Sequence, residues 1–142
     1  MYLGLQHTHS FVRYAVLIML LAVIFKSLLS LASKKPFEKI DNVLSLVLLI
    51  VTHVQALVGL VLYFISDKVR LGQEGAMTYS RYFTVEHAFG MILAVIIITA
   101  ARVTSKKIAT DSGKFRRLAF FNLLALTVIL ATLMVGKIRI IG

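Results

Sequence analysis

Four long apolar stretches, at about residues 10–32, 43–65, 84–103 and 118–135, are separated by short polar connections. Each is close to the ~20 residues that an α-helix, rising about 1.5 Å per residue, needs to cross a hydrocarbon core about 30 Å thick. The stretches are continuous rather than alternating and far exceed the ~10 residues of a membrane β-strand, which argues against a barrel. The pattern predicts an all-α fold: an integral membrane four-helix up-down bundle, forming a single transmembrane domain over residues 1–142. The first stretch is expected to remain as a permanent span. No basic region precedes it, and its apolar run is too long for the core of a cleaved signal.

Small and weakly polar residues recur along these stretches at helical spacing. The second carries Ser45, Thr52, Gly59 and Ser66 at seven-residue intervals, with Gln55 on the same side. The third carries His87, Gly90, Ala94 and Ala101, the fourth Asn122, Ala125, Thr132 and Gly136, and the first His9, Arg13, Ser27 and Ser30. Lipid supplies no hydrophobic drive between helices, so such stripes mark the faces that meet. One inward stripe per helix suits a left-handed bundle with heptad-like contacts.

Composition agrees with a lipid environment. The chain is 59% hydrophobic and 15% charged, with a mean hydropathy of +0.91; soluble domains run at about 45–50% and about 25%. The absence of cysteine removes disulfides, thiolate zinc sites, iron–sulfur clusters and cysteine nucleophiles. The net charge of +10, from 16 Lys+Arg against 6 Asp+Glu, would suggest nucleic acid in a soluble protein. Here its distribution points to orientation instead. The first and third connections and their flanks hold Lys34, Lys35, Lys39, Arg102, Lys106, Lys107, Lys114, Arg116 and Arg117. The opposite side holds Lys68, Arg70 and Arg81, offset by Asp67, Glu74 and Glu86, with Arg13 near one terminus and Lys137 and Arg139 near the other. Retention of basic residues on the cytoplasmic side then predicts an integral membrane protein with both termini on the outer side and no nucleic-acid partner. The second connection, with Tyr63, Phe64, Tyr79, Tyr82 and Phe83 in and around it, is expected to form an interfacial aromatic belt with a surface-lying segment. Lys26, in the inner half of the first span, is expected to snorkel to the inner interface.

Ionisable groups within spans cost about 2.5–3.5 kcal/mol at the helix centre, so each needs an explanation. His7 and His9 lie at the outer start of the first span, His53 near the middle of the second and His87 at the outer start of the third. Neutral imidazoles from two facing helices are suited to hold haem iron in a bundle core. His87 is the common member of the candidate pairs, opposed by His9 or by His53. His7 and His9 are two residues apart and do not share a helix face; His9 is the deeper. Short loops make sequential helices neighbours and place the first and third on a diagonal, so His9 and His87 can face each other, while His53 is expected to face the same bundle from an adjacent helix. Arg13, Arg81 and Arg70 are candidates to neutralise haem propionates, Met134 is an outside candidate for a sixth ligand, and Glu86 could tune the site. The competing reading makes His53 a core residue hydrogen-bonded to a group such as Asn122.

The segments Leu5-Gln6-His7-Thr8-His9-Ser10, His53-Val54-Gln55 followed by Gly59-Leu60-Val61-Leu62-Tyr63, and Glu86-His87 together resemble a family of short bacterial four-helix membrane proteins described as cytochrome b-like. The resemblance covers nearly the whole chain and rests on the ordered set of histidines on three helices. More distantly, the chain is similar to one half of haem A synthase, in which a four-helix unit holds haem between histidines at the outer ends of two non-adjacent helices. The resemblance implies a bacterial inner-membrane protein, its outer side periplasmic, with one haem b near the outer face ligated by His87 and by either His9 or His53. It does not extend to haem oxidation, because only one half is present and Glu86 is adjacent to His87 rather than one turn away from it.

The expectation is therefore a membrane cytochrome b-like electron-transfer protein rather than a stand-alone enzyme, exchanging electrons with quinol or with a larger respiratory membrane complex. The competing class is a cofactor-free structural or accessory subunit of such a complex. A transporter is disfavoured because no carboxylate is expected deep within a span.

Overall fold

The structure is a computed structural model and describes residues 2–65 and 86–141. It contains four helices, α1 (Tyr2–Ala32), α2 (Lys39–Ile65), α3 (His87–Lys106) and α4 (Asp111–Ile141), and no strand among the described residues. All four are long and apolar enough to cross a membrane. The chain is an all-α membrane four-helix bundle. The aromatic belt expected over the second connection lies mostly outside the described residues.

The helices outrun the apolar stretches that announce them. α1 begins at Tyr2 rather than near Ser10, and α4 at Asp111 rather than near Leu118, because backbone hydrogen bonding and caps end a helix, not loss of hydrophobicity. Thr110 caps α4: its Oγ1 accepts the Gly113 N–H at 3.2 Å and its carbonyl accepts the Lys114 N–H at 3.1 Å. α1 closes in a Schellman turn. Lys34 adopts a left-handed φ of 55°, and the Lys35 N–H returns to the Ser30 carbonyl at 2.9 Å while the Lys34 N–H reaches Leu31 at 3.4 Å.

Each helix packs on its two neighbours in the chain order 1-2-3-4, and α4 closes back on α1. α1 and α3 therefore stand on a diagonal. Between them lies a core of Leu20, Val23 and Ile24 from α1, Leu48 from α2, Ala94, Ile98 and Ala101 from α3, and Leu118, Ala125 and Ile129 from α4. The small-residue stripes line this core: Ser27, Ser30, Ser45, Thr52, Ala94, Ala101, Asn122 and Ala125 are all buried. At Gly90 the α3–α4 approach is close enough that a Cβ would overlap the Thr132 side chain at Oγ1 and Cγ2. Arg13 departs from its stripe and is exposed.

At the basic end of the bundle the spans are tied by polar groups. Lys26 does not reach the interface alone. Its ammonium meets Asp41 Oδ1 at 2.7 Å and Ser30 Oγ at 3.2 Å, and Asp41 Oδ2 accepts the Glu38 N–H at 2.9 Å. Asp41 is buried, so a carboxylate does enter the bundle, brought in by its cation. Arg102, which by sequence flanks a loop, is turned inward. It donates to the Asn42 carbonyl at 3.0 Å and to Ser45 Oγ, tying α3 to α2.

Candidate functional site

His9 and His87 meet across the diagonal. The two imidazole centroids stand 6.4 Å apart with their planes at 69°. Both residues are half-buried and the Nδ1 atom of each is buried. His9 lies two turns inside α1 because that helix starts early, whereas His87 is the first residue of α3.

α2 shapes the His9 side of this pair. Gln55 Nε2 donates to the His9 carbonyl at 2.9 Å, and Gly59, one turn further along the same face, packs close to the ring. A Cβ at Gly59 would be 3.3 Å from His9 Cε1 and 3.7 Å from Nδ1, so an added methyl would crowd the imidazole and a bulky side chain would push it aside. Gln55 Oε1 and His9 Nδ1 have no hydrogen-bond partner among the described residues. On the α3 side, Glu86 precedes His87 in helical conformation and makes no side-chain cap. With Gly90 and Thr132 it lines an open apolar groove of about 310 Å³ between α3 and α4.

The other sequence candidates lie elsewhere. His7 is exposed, as its two-residue offset from His9 requires. His53, expected to face the bundle, is exposed as well, with Nδ1 2.8 Å from the Leu49 carbonyl of its own helix. The reason is angular: Thr52 occupies the inward stripe and is buried, and one further residue turns the side chain about 100° away. Nor does His53 meet Asn122, which is buried with its Oδ1 lacking a partner among the described residues. Arg13 stacks on Tyr14, its guanidinium carbon 4.9 Å from the ring centroid and its Nη2 donating to the phenol oxygen at 3.3 Å. Met134 is exposed. Arg81 and Arg70 lie outside the described residues.

Comparison with protein-family models, with curated proteins and with solved structures finds no match.

The chemistry of the pair rests on its donors. Among the described residues no group of three or more His, Asp or Glu converges as a metal cage, and a bare zinc ion would ask for three or four protein ligands. Two imidazoles suit an iron whose remaining ligands come with a macrocycle. What the sequence did not reveal is the support around the pair. Gln55 and Gly59 read as packing residues, and only the helix crossing shows that both touch His9.

Proposed function

We propose that the protein is a small membrane cytochrome b-like protein that holds one haem b between His9 and His87. The observation that carries this reading is the 6.4 Å separation of the two ring centroids. Two metal–imidazole bonds of about 2.0–2.1 Å, with about 1.1 Å from each nitrogen to its ring centre, span roughly 6 Å. Each ring rotates about its own bond to the metal, so the 69° between their planes is compatible with a shared iron. The His9 Nδ1, without a partner among the described residues, and the Gly59 surface support the same reading, as does the resemblance carried by the ordered histidines.

In this reading His9 and His87 bind, and Gly59 leaves the space in which the His9 ring turns. Gln55 fixes the stretch of α1 that carries the ligand, in the way that outer partners commonly orient metal-binding histidines. Haem b held there supplies one-electron redox chemistry at a potential set by its ligands and its burial. The protein would then exchange electrons with a quinol pool or a partner subunit near the outer face.

A reduced-minus-oxidised absorption spectrum of detergent-purified, haem-replete protein tests this. Sharp α and Soret bands are expected, lost in His9→Ala and in His87→Ala and retained in His7→Ala and His53→Ala. A colourless wild-type protein would refute the reading.

The cofactor-free accessory subunit is favoured by a different observation. α2 is the least buried span, 17% of its most apolar window against 33% for each of the others, and it presents His53 outward from mid-span. A polar ring facing outward in a membrane helix asks for a partner. That reading predicts a larger complex co-purifying in mild detergent and dissociating in His53→Leu.

A further inference from the structure

The basic end of the bundle holds a second concave feature, independent of the histidines. A cleft of about 560 Å³ opens between the C-terminal end of α1 and the start of α4, lined by Lys34, Lys35, Arg116, Asp111, Ser112 and Phe115 among others. Its size falls within the roughly 300–1,000 Å³ of small-molecule sites. Three cations and one carboxylate line it, and none of the three cations forms an ion pair among the described residues.

Lys34 is the informative member. It occupies the left-handed position of the Schellman turn, at φ 55°, where glycine is the usual occupant and a residue with a Cβ is strained. Its side chain lines the cleft. The depth of the cleft indicates what the ammonium meets. Lys34 and Lys35 follow the last apolar residues of α1, and Arg116 and Arg117 precede the apolar run that starts at Leu118, so the mouth lies where a membrane presents its headgroups. The positive end of α4 opens onto the same space.

We infer that this cleft binds the phosphate headgroup of an anionic phospholipid, with Lys34, Lys35 and Arg116 as its ligands and the acyl chains running down the apolar surfaces of α1 and α4. Basic pockets between spans bind lipid headgroups in this way, each surface cation adding about fivefold to the preference for anionic lipid.

Native mass spectrometry of the detergent-purified protein, titrated with phosphatidylglycerol or with phosphatidylcholine, tests the site. One phosphatidylglycerol is expected to be retained in preference to phosphatidylcholine. Lys34→Gly and Arg116→Gln should each reduce that retention about fivefold, and Lys107→Gln, on the same side but outside the cleft, should leave it unchanged. Because glycine suits φ 55°, Lys34→Gly is expected to keep or raise the melting temperature, which separates loss of the site from loss of the fold. Equal retention of the two lipids would overturn the inference, as would an equal loss in Lys107→Gln, which means diffuse surface charge. Displacement of the lipid by millimolar inorganic phosphate would reassign the cleft to a free anion.

Discussion

Single residues in this bundle act chiefly through what they leave room for. Gly90 is the sharpest case, since a Cβ there would overlap the Thr132 side chain. Gly90→Ala is expected to destabilise by about 1–3 kcal/mol, the usual range for overpacking. Thr132→Ala removes the two closest atoms, Oγ1 and Cγ2, so the double variant should recover most of the loss in a thermal or denaturant titration, and additive losses would show that the contact is not the cause. Gly59 sets a different limit. If the proposed haem is held at His9, Gly59→Leu is expected to displace the His9 ring and lower haem occupancy severalfold while helix content by circular dichroism stays unchanged; full occupancy in that variant would mean that His9 needs no such space. Sequence showed the spacing of these glycines and the facing potential of His9 and His87. It did not show that Gly59 meets a histidine and Gly90 a threonine, because the partner of a small residue is set by helix rotation and not by the period of its own stripe.

At the scale of the element, the spans are held at their basic ends by two polar ties of unlike design. Lys26–Asp41 joins α1 to α2 with both signs of charge, Lys26 partly exposed and Asp41 enclosed. Removing one partner leaves the other uncompensated, whereas removing both need not destabilise. Asp41→Asn or Lys26→Met is therefore expected to cost roughly 2 kcal/mol, between the exposed and buried limits, and Lys26→Met/Asp41→Leu less than either single change. Failure of the double variant to recover would assign Asp41 instead to its cap on the Glu38 N–H. Arg102 has no carboxylate partner among the described residues and relies on the Asn42 carbonyl and Ser45 Oγ. Ser45→Ala is expected to lower stability by about 1–3 kcal/mol through the lost acceptor. Neither tie was legible in the chain: Lys26 and Asp41 are 15 positions apart and Arg102 and Ser45 are 57 apart, and hydropathy locates spans without locating the partners of their charges. Helix ends shifted for a related reason, since Thr110 and Lys34 terminate helices by hydrogen-bond geometry within polar sequence.

For the whole molecule, the charge asymmetry makes a prediction that the missing cysteines make easy to read. If basic residues keep the first and third connections inside, Ala109→Cys should react with an impermeant thiol reagent only after permeabilisation, and Thr8→Cys in intact cells. The reverse pattern would invert the bundle and place the His9–His87 pair at the inner face. The sequence by itself determined the fold class, four spans and their small-residue faces, because the cost of exposing backbone and charge to lipid leaves only continuous apolar helices as a solution. It also limited the strong metal ligands to four histidines. Only the tertiary structure decided which of them meet, bringing His9 and His87 together on the diagonal and turning His53 outward. The reason is rotational. Near mid-span every residue of a lipid-spanning helix can be apolar, so hydropathy carries little phase information, and the 100° between Thr52 and His53 is settled by which side chains interlock with the neighbouring helices.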